Sequence, residues 1–250
     1  MPNIEPNTAI CLDHVSVAYR APYERIGTLK EYVIRWFQRR VKYQHFLALN
    51  DVSLTINKGE IVGIIGNNGA GKSTLLKLIS RVLTPTSGRV WVRGKVAPLL
   101  ELGAGFHPEL TGRENIYLNS AILGLTRKEI DEKVPGIIEF SELHEFIDAP
   151  IRTYSSGMSA RLGFAVATDT NPDILILDEI MAVGDEAFKH KSEARIRSFF
   201  EQGITIVLVS HSMETVEKLC THVVRLDHGV VKGDGKPLEI INEYREISAV

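Results

Sequence analysis

Hydrophobic residues along the chain follow two alternating patterns. Short runs rich in β-branched and aliphatic residues, typical of strands, alternate with stretches in which apolar residues recur at helical spacing. The strand-like runs lie at residues 10–19, 47–56, 59–66, 88–100, 173–179, 203–211 and 222–229. Because strands that alternate with helices form a largely parallel sheet covered on both faces, the pattern predicts an α/β fold.

The helical segments are unevenly distributed along the chain. Residues 73–83 predict one helix that Pro85 ends, and the residues after Gly235 predict a helix and a short tail. Between about 107 and 168 the pattern is mostly helical, which favours a helical subdomain inserted into the α/β core.

The segment between the first two predicted strands does not fit this alternation. Residues 23–43 place apolar and aromatic side chains at helical spacing, with basic side chains mostly elsewhere on the helix. A basic amphipathic helix containing Trp and Phe is typical of a membrane interface or a partner surface. The alternative is an ordinary helix that packs on the core and exposes a solvated basic face.

Composition excludes several classes of protein. The 250 residues carry a formal net charge of −2, so the chain lacks the overall positive field expected of a nucleic-acid-binding protein. Its two cysteines, Cys11 and Cys220, are too far apart in sequence to suggest a zinc motif, and they suit a reducing cytosol. No apolar run approaches the roughly 20 residues that span a bilayer, and the first residues do not resemble a signal peptide.

A glycine-rich turn lies between the strand-like run at 59–66 and the helix predicted from residue 73. It matches the pattern G-x-x-x-x-G-K-[ST], in which successive backbone N–H groups point into one concavity and hold phosphate oxygens. The lysine supplies a charge for the β- and γ-phosphates, and the following hydroxyl can ligate Mg²⁺. The candidate nucleotide-binding residues are Gly66, Asn67, Asn68, Gly69, Ala70, Gly71, Lys72, Ser73 and Thr74.

Two later strands end in polar residues. Asp178 follows four aliphatic residues, which places it at the carboxyl end of a central strand as a candidate Mg²⁺ ligand. Glu179 is the natural base to polarise an attacking water. His211 ends the next strand, where it could contact the γ-phosphate; a hydrogen-bonded structural histidine is the alternative.

These motifs together resemble the nucleotide-binding domain of ATP-binding cassette (ABC) transporters. The decisive stretch is TYSSGMSARLGFAVA at residues 153–167, which resembles the family signature LSGGQ and its helix. Ser155 and Gly157 match the signature, whereas Ser156 and Met158 depart from it. The resemblance implies that Ser155, Ser156 and Gly157 bind the phosphates of an ATP held by a second copy of the chain.

The resemblance also implies a fold and a domain organisation. We expect a P-loop NTPase (RecA-like) core at about 1–106 and 169–235, with a mostly parallel sheet and an antiparallel β subdomain. The inserted helical subdomain is expected at about 107–168, the amphipathic helix at about 23–43 and a C-terminal tail at 236–250. The implied cofactors are ATP and Mg²⁺, and the implied enzyme is a transport ATPase.

Three further residues follow from the same resemblance. The stretch MAVGDEAF resembles the D-loop, with Asp185 as its acid, and Tyr19 stands where the family places the aromatic that stacks on adenine. Tyr43 and Phe46 remain alternatives for that stacking role. The glutamine that the family places after the strand KVAPLLELG is missing, and Glu101 is the nearest candidate to replace it as a metal ligand.

The departures from the common family pattern point to a subgroup. The stretch ELGAGFHPELTGRENIYLNSAILGL and the signature YSSGM resemble exporters of O-antigen, capsule and teichoic acid. This resemblance implies a peripheral subunit on the cytoplasmic face of the bacterial inner membrane that works with integral membrane subunits on a lipid-linked polysaccharide. The alternatives are a soluble ABC ATPase acting on DNA or ribosomes, an ABC transporter subunit for another substrate, and a P-loop kinase or GTPase.

Overall fold

The computed structural model describes residues 5–22, 43–99, 102–103, 105–178, 185–210 and 212–248, which form two sheets with helices around them. The strands are β1 (Thr8–Pro22), β2 (Tyr43–Asn57), β3 (Ile61–Ile65), β4 (Ser87–Val92), β5 (Val96–Leu99), β6 (Ile174–Asp178), β7 (Thr205–Val209), β8 (His222–Asp227) and β9 (Val230–Gly235). The helices are α1 (Lys72–Ile79), α2 (Gly112–Ile122), α3 (Arg127–Ser141), α4 (Ser156–Thr168), α5 (Glu186–Glu201), α6 (Met213–Leu219) and α7 (Pro237–Ser248).

The larger sheet has the strand order β5-β6-β7-β3-β8-β9. Its first five strands are parallel, and only β9 pairs antiparallel, with β8. Every residue of β7 is buried, as expected for a strand covered on both faces. The smaller sheet has the order β2-β1-β4 and is antiparallel throughout. The predicted α/β class, with a mostly parallel sheet and an antiparallel one, is confirmed.

The prediction of one strand over residues 88–100 is wrong. This stretch forms β4 in the antiparallel sheet and β5 in the parallel sheet, and the chain turns between them at Gly94, where φ is +106°. The side chain of Asp173 packs against Gly94 and accepts a hydrogen bond from the N–H of Lys95 at 2.7 Å. The break is therefore imposed by a residue far away in sequence.

The first helix after the glycine turn ends earlier than predicted. It stops at Ile79, and the residue that reverses the chain is Arg81, whose φ is +59°. The N–H of Arg81 bonds to the Leu78 carbonyl at 3.0 Å, and the N–H of Val82 bonds to the Lys77 carbonyl at 3.0 Å. These two bonds form a Schellman motif, which ends the helix before Pro85 can.

Helices α2, α3 and α4 pack around a hydrophobic cluster of their own, which includes Ile116, Ile137 and Leu162. Capping boxes fix where the first two begin: Thr111 caps α2 and Thr126 caps α3, each with a Glu three residues later. These helices fall within the segment expected to be a subdomain; the domain boundaries themselves stay a prediction.

Candidate functional site

The glycine-rich turn connects β3, a central strand of the parallel sheet, to α1. Its backbone needs glycine, because φ is +146° at Gly66, +81° at Gly69 and +104° at Gly71. A Cβ on Gly71 would stand 2.5 Å from the Ala48 carbonyl oxygen, and a Cβ on Gly66 would overlap the Leu226 carbonyl oxygen. Neighbouring strands therefore hold the turn closely from two sides.

Lys72 is the first residue of α1, and its side chain bends back over the turn. The ammonium Nζ donates hydrogen bonds to the carbonyl oxygens of Gly66 at 2.6 Å and Asn67 at 3.0 Å. Burial lowers the pKa of Lys72, and the nearby Asp178 carboxylate opposes that shift. The turn thus places a positive charge at the mouth of the backbone cradle, where phosphate oxygens would compete for it.

A cleft of about 370 Å³ opens directly over this turn. It brings together residues from five places in the sequence: the two long antiparallel strands, the glycine turn with the start of α1, the end of β6 and the end of β7. The lining residues are Tyr19, Phe46, Ala48, Asn68, Gly69, Ala70, Gly71, Lys72, Ser73, Thr74, Asp178 and Val209. The cleft therefore brings Asp178 together with the candidate residues 68–74 of the glycine turn, whereas Gly66 and Asn67 do not line it.

Two aromatic residues line the outer end of the cleft. Tyr19 and Phe46 are directly opposite each other in the pairing of β1 with β2. Both are exposed, Tyr19 by 40% and Phe46 by 58%, which is unusual for large apolar side chains and typical of a surface that a ligand covers. Phe46, one of the alternatives for the stacking role, therefore lines the same cleft as Tyr19.

The residues that could hold a magnesium ion lie at the inner end of the cleft. Ser73 and Asp178 both line it, the hydroxyl from the start of α1 and the carboxylate from the end of β6. Within the described ranges, no group of three or more His, Cys, Asp or Glu residues could hold a metal ion. A hydroxyl and a carboxylate beside a phosphate cradle fit Mg²⁺, which typically takes one or two protein ligands and completes its shell with phosphate and water.

The predicted signature residues lie elsewhere on the surface. Ser155 is the N-cap of α4, and its hydroxyl accepts a hydrogen bond from the N–H of Met158 at 3.1 Å. Ser156 and Gly157 form the first turn of that helix, and Ser155 and Ser156 are exposed. None of these three residues lines the cleft over the glycine turn, so within one chain they do not complete it.

The family model for ABC transporters matches residues 49–182, more than half of the chain. The chain belongs to the ABC transporter family. The resemblance inferred from the P-loop and the signature is therefore confirmed, and the predicted enzyme class, an ABC-type ATPase, is that of the family.

Curated relatives match this ABC chain over nearly its whole length. An O-antigen export system ATP-binding protein of Klebsiella pneumoniae is 51% identical, over 96% of this chain and 98% of that protein. One of the same description from Myxococcus xanthus is 54% identical over 97% of this chain, which spans only 56% of that relative. A teichoic acids export ATP-binding protein of Enterococcus faecalis is 46% identical, over 91% of this chain and 50% of the relative.

Solved structures of ABC cassettes share the fold. The ATP-binding subunit of an ABC transporter superposes with a TM-score of 0.71 at 24% identity, covering 95% of this chain and 93% of the other. A dimeric cassette in a post-hydrolysis state, bound to ADP and Pi, superposes with a TM-score of 0.68 at 23% identity, covering 91% and 98%.

Asp185, predicted as the acid of the ABC D-loop, has two partners within its own chain. One oxygen caps α5 by accepting from the N–H of Phe188 at 3.0 Å, and the other accepts from Arg161 at 2.5 Å. The backbone hydrogen bond, followed by the charge of Arg161, holds the pKa of Asp185 below its ordinary value. Arg161 also pairs with Glu142 at 3.1 Å, so it connects α4 to both α5 and the end of α3.

Three predicted site residues lie outside the described residues: Glu101, Glu179 and His211. The strands that precede the last two are placed, however. Asp178, adjacent to Glu179 in sequence, pairs with Val209 near the end of the neighbouring strand β7. The predicted amphipathic helix at 23–43 also falls almost entirely outside the described ranges. The roles assigned to these residues stay predictions.

A second groove, which the sequence did not reveal, lies between the edge of the parallel sheet and the helices α2 and α4. Its volume is about 370 Å³, and most of its lining is apolar. Ile122, at the end of α2, is 68% exposed on its rim, and Val82 is 73% exposed. The lining residues are Lys77, Val82, Pro98, Leu102, Gly103, Phe106, Asn119, Ile122, Leu123, Gly163, Val166 and Ala167.

Proposed function

We propose that this chain is the ATPase subunit of an ABC exporter for a lipid-linked cell-surface polysaccharide of the O-antigen or teichoic-acid type. The observation that carries the proposal is the cleft over the glycine turn, where a lysine, a hydroxyl and a carboxylate converge beneath exposed aromatics. Relatives named for O-antigen and teichoic acid export match this chain over most of its length, which supports the polymer as cargo.

ATP would lie along the cleft with its base at the aromatic end. Tyr19 or Phe46 stacks on adenine, and the backbone N–H groups of the glycine turn hold the phosphates, aided by the N-terminus of α1. The ammonium of Lys72 exchanges the carbonyl oxygens of Gly66 and Asn67 for β- and γ-phosphate oxygens. Thr74, which also lines the cleft, lies one residue further along α1 than Ser73, the metal-ligand candidate.

Hydrolysis would take place at the inner end of the cleft. Ser73 and Asp178 would hold Mg²⁺, with Glu101 as a further candidate ligand; the bound ion neutralises charge on the transferred phosphoryl group. We assign Glu179 as the base that polarises the attacking water and His211 as a contact to the γ-phosphate. Both follow strands whose carboxyl ends meet at this edge of the sheet.

Each nucleotide site would be completed by a second copy of the chain. Ser155, Ser156 and Gly157 present the N-terminus of α4 to solvent, away from their own chain's cleft. A helix N-terminus of this kind is suited to a phosphate, so we place it over the γ-phosphate bound by the partner's glycine turn. Asp185 would lie at the same interface, where its pairing with Arg161 orients α4.

The apolar groove beside α2 is our candidate docking site for the integral membrane subunit. Contiguous exposed apolar surface on a globular protein commonly marks an interaction site. No helix among the described residues is both long enough and apolar enough to cross a bilayer. We further propose that the subunit lies peripherally on the cytoplasmic face of the bacterial inner membrane, with residues 23–43, whose sequence pattern is basic and amphipathic, at the membrane interface.

A mixing experiment tests the shared nucleotide site. Lys72→Ala disables the P-loop and Ser155→Arg disables the signature, so neither variant alone should hydrolyse ATP when purified with the membrane subunit. In a mixed dimer, both defects fall in the same site and the other site is intact. If dimers form at random and the sites work independently, an equal mixture should recover about a quarter of wild-type ATPase activity.

Two outcomes, one from this experiment and one from co-expression of the wild-type chain, contradict the proposal. If Ser155→Arg alone hydrolyses ATP at the wild-type rate, the signature helix does not act on nucleotide. If no membrane protein co-purifies with the wild-type chain when both are expressed together, the role in export is wrong even where ATP hydrolysis is retained.

A further inference from the structure

The C-terminal helix α7 packs against β8 and β9, and β8 is the neighbour of the strand that leads into the P-loop. Ile240 and Ile241 are 7% and 0% exposed, and with Tyr244, one helical turn later, they face a hydrophobic cluster that includes Ile65. Ile65 is the last residue of β3 and directly precedes the glycine turn. The helix thus shares a hydrophobic cluster with the residue that directly precedes the glycine turn.

An ion pair fixes the position of this helix. The guanidinium Nη2 of Arg225 on β8 lies 2.9 Å from the carboxylate of Glu243 on α7, and Arg225 is only 8% exposed. Arg225 is the residue that pairs with Ile65 across β8 and β3. The anchor therefore lies next to the end of the strand from which the P-loop emerges.

From this position the helix reaches the P-loop itself. The hydroxyl of Tyr244 donates a hydrogen bond to the side-chain oxygen of Asn67 at 2.9 Å. The backbone carbonyl of Asn67 accepts from Lys72 Nζ at 3.0 Å and from the N–H of Ala70 at 3.1 Å. Asn67 is therefore held by the C-terminal helix through its side chain and by the P-loop through its backbone.

We propose that Tyr244 is a positioning residue for the nucleotide site: its hydrogen bond to Asn67 couples the docking of α7 to the affinity of the P-loop for ATP. This inference rests on the nucleotide assignment proposed above. A P-loop held in its binding shape before the ligand arrives binds more tightly than one that must first be ordered. Because such coupling is reciprocal, bound nucleotide should in turn hold α7 more firmly against the core.

The test is Tyr244→Phe, which keeps the ring and its packing and removes only the hydroxyl. Titration calorimetry with AMP-PNP, a non-hydrolysable ATP analogue, and MgCl₂ should give a Kd about two- to tenfold higher than wild type. That fold-change corresponds to about 0.5–1.5 kcal/mol for one neutral hydrogen bond. In the ATPase assay with the membrane subunit, KM for ATP should rise by a similar factor while kcat stays close to wild type.

Two measurements separate positioning from a purely structural role. The effects of Tyr244→Phe and Asn67→Ala on the AMP-PNP Kd should not add, because both remove the same bond. AMP-PNP should slow amide hydrogen exchange across α7 in the wild type and do so much less in Tyr244→Phe. The matched control is Tyr117→Phe, which removes a hydroxyl bonded to Asp131 on the helical segment and should leave the Kd unchanged.

The outcomes distinguish this inference from the nucleotide assignment. If wild-type protein does not bind AMP-PNP, the assignment itself fails. If wild-type protein binds but Tyr244→Phe binds equally well, or if α7 exchanges at the same rate with and without nucleotide, the coupling is refuted and the assignment stands.

Discussion

Gly71→Ala is the substitution whose cost the structure defines best. The alanine would have to adopt a φ near +104°, which costs roughly 1–2 kcal/mol for a residue with a Cβ. Its Cβ would also stand 2.5 Å from the Ala48 carbonyl oxygen and 2.9 Å from Leu49 Cδ2. Because real Cβ atoms keep at least 3.0 Å, the P-loop must move away from β2. Such overpacking typically costs about 1–3 kcal/mol.

Gly69→Ala provides the matched control. Gly69 has a φ of +81°, but a Cβ there would meet nothing within 4 Å. Both variants carry the backbone strain and the same loss of unfolded-state freedom, so those effects cancel in the comparison. We therefore expect Gly71→Ala to lower the free energy of unfolding by about 1–3 kcal/mol more than Gly69→Ala.

Urea unfolding at 25 °C without nucleotide measures this difference, and titration with AMP-PNP measures the effect on binding. Gly71→Ala should also weaken binding more than Gly69→Ala, because the displaced turn moves its N–H groups relative to Lys72. If Gly71→Ala is no more destabilising than Gly69→Ala, the close contact between the P-loop and β2 does not constrain the turn, and the reasoning is wrong.

Two further predictions concern other surfaces. Ile122→Asp should abolish co-purification with the membrane subunit, because it places a charge in the apolar groove. The control is Phe146→Asp, which should leave co-purification unchanged because Phe146 is exposed and apolar but does not line the groove. Asp185→Asn should destabilise the chain at neutral pH. The pKa of Asp185 is lower in the folded state than in the unfolded state. The carboxylate therefore contributes fully to the free energy of unfolding above the unfolded-state pKa of about 3.9, and this contribution is lost as the pH falls through the folded-state pKa. The difference between variant and wild type in urea midpoint should therefore shrink below about pH 4, and a constant difference would contradict the assignment.

The sequence predicted those features that depend on neighbouring residues. The P-loop pattern lies within eight consecutive positions, and the aliphatic run before Asp178 defines a buried strand without reference to any other element. The register between β1 and β2, in contrast, depends on how two separate segments of the chain pair. It places Phe46 opposite Tyr19, and no pattern within either strand reveals that pairing.

The features that the sequence did not reveal depend on distant partners. The turn at Gly94 is set by Asp173, and the anchoring of Asn67 depends on Tyr244, which is 177 residues away. The hairpin strand β9 was also missed, because its sequence VVKGDG contains two glycines and is more typical of a turn. It is a strand because β8 supplies the antiparallel partner.

One tight turn fixes the two ends of the nucleotide cleft relative to each other. Between β8 and β9 the chain reverses through His228 and Gly229, whose φ values are +46° and +79°, as a two-residue turn of the I′ kind requires. The N–H of Gly229 donates to the carbonyl of Ala70 in the P-loop at 2.9 Å, and its carbonyl accepts from the N–H of Asn50 on β2 at 2.8 Å.

This turn therefore bonds both the P-loop and β2, the strand that carries Phe46. A Cβ on Gly229 would stand 2.7 Å from the Ala48 carbonyl oxygen, so the turn touches β2 closely as well as bonding to it. Among the described strands, none belongs to both sheets, and the phosphate end and the aromatic end of the cleft lie on different sheets. Since both are bonded to the same glycine, their separation is set before a nucleotide binds.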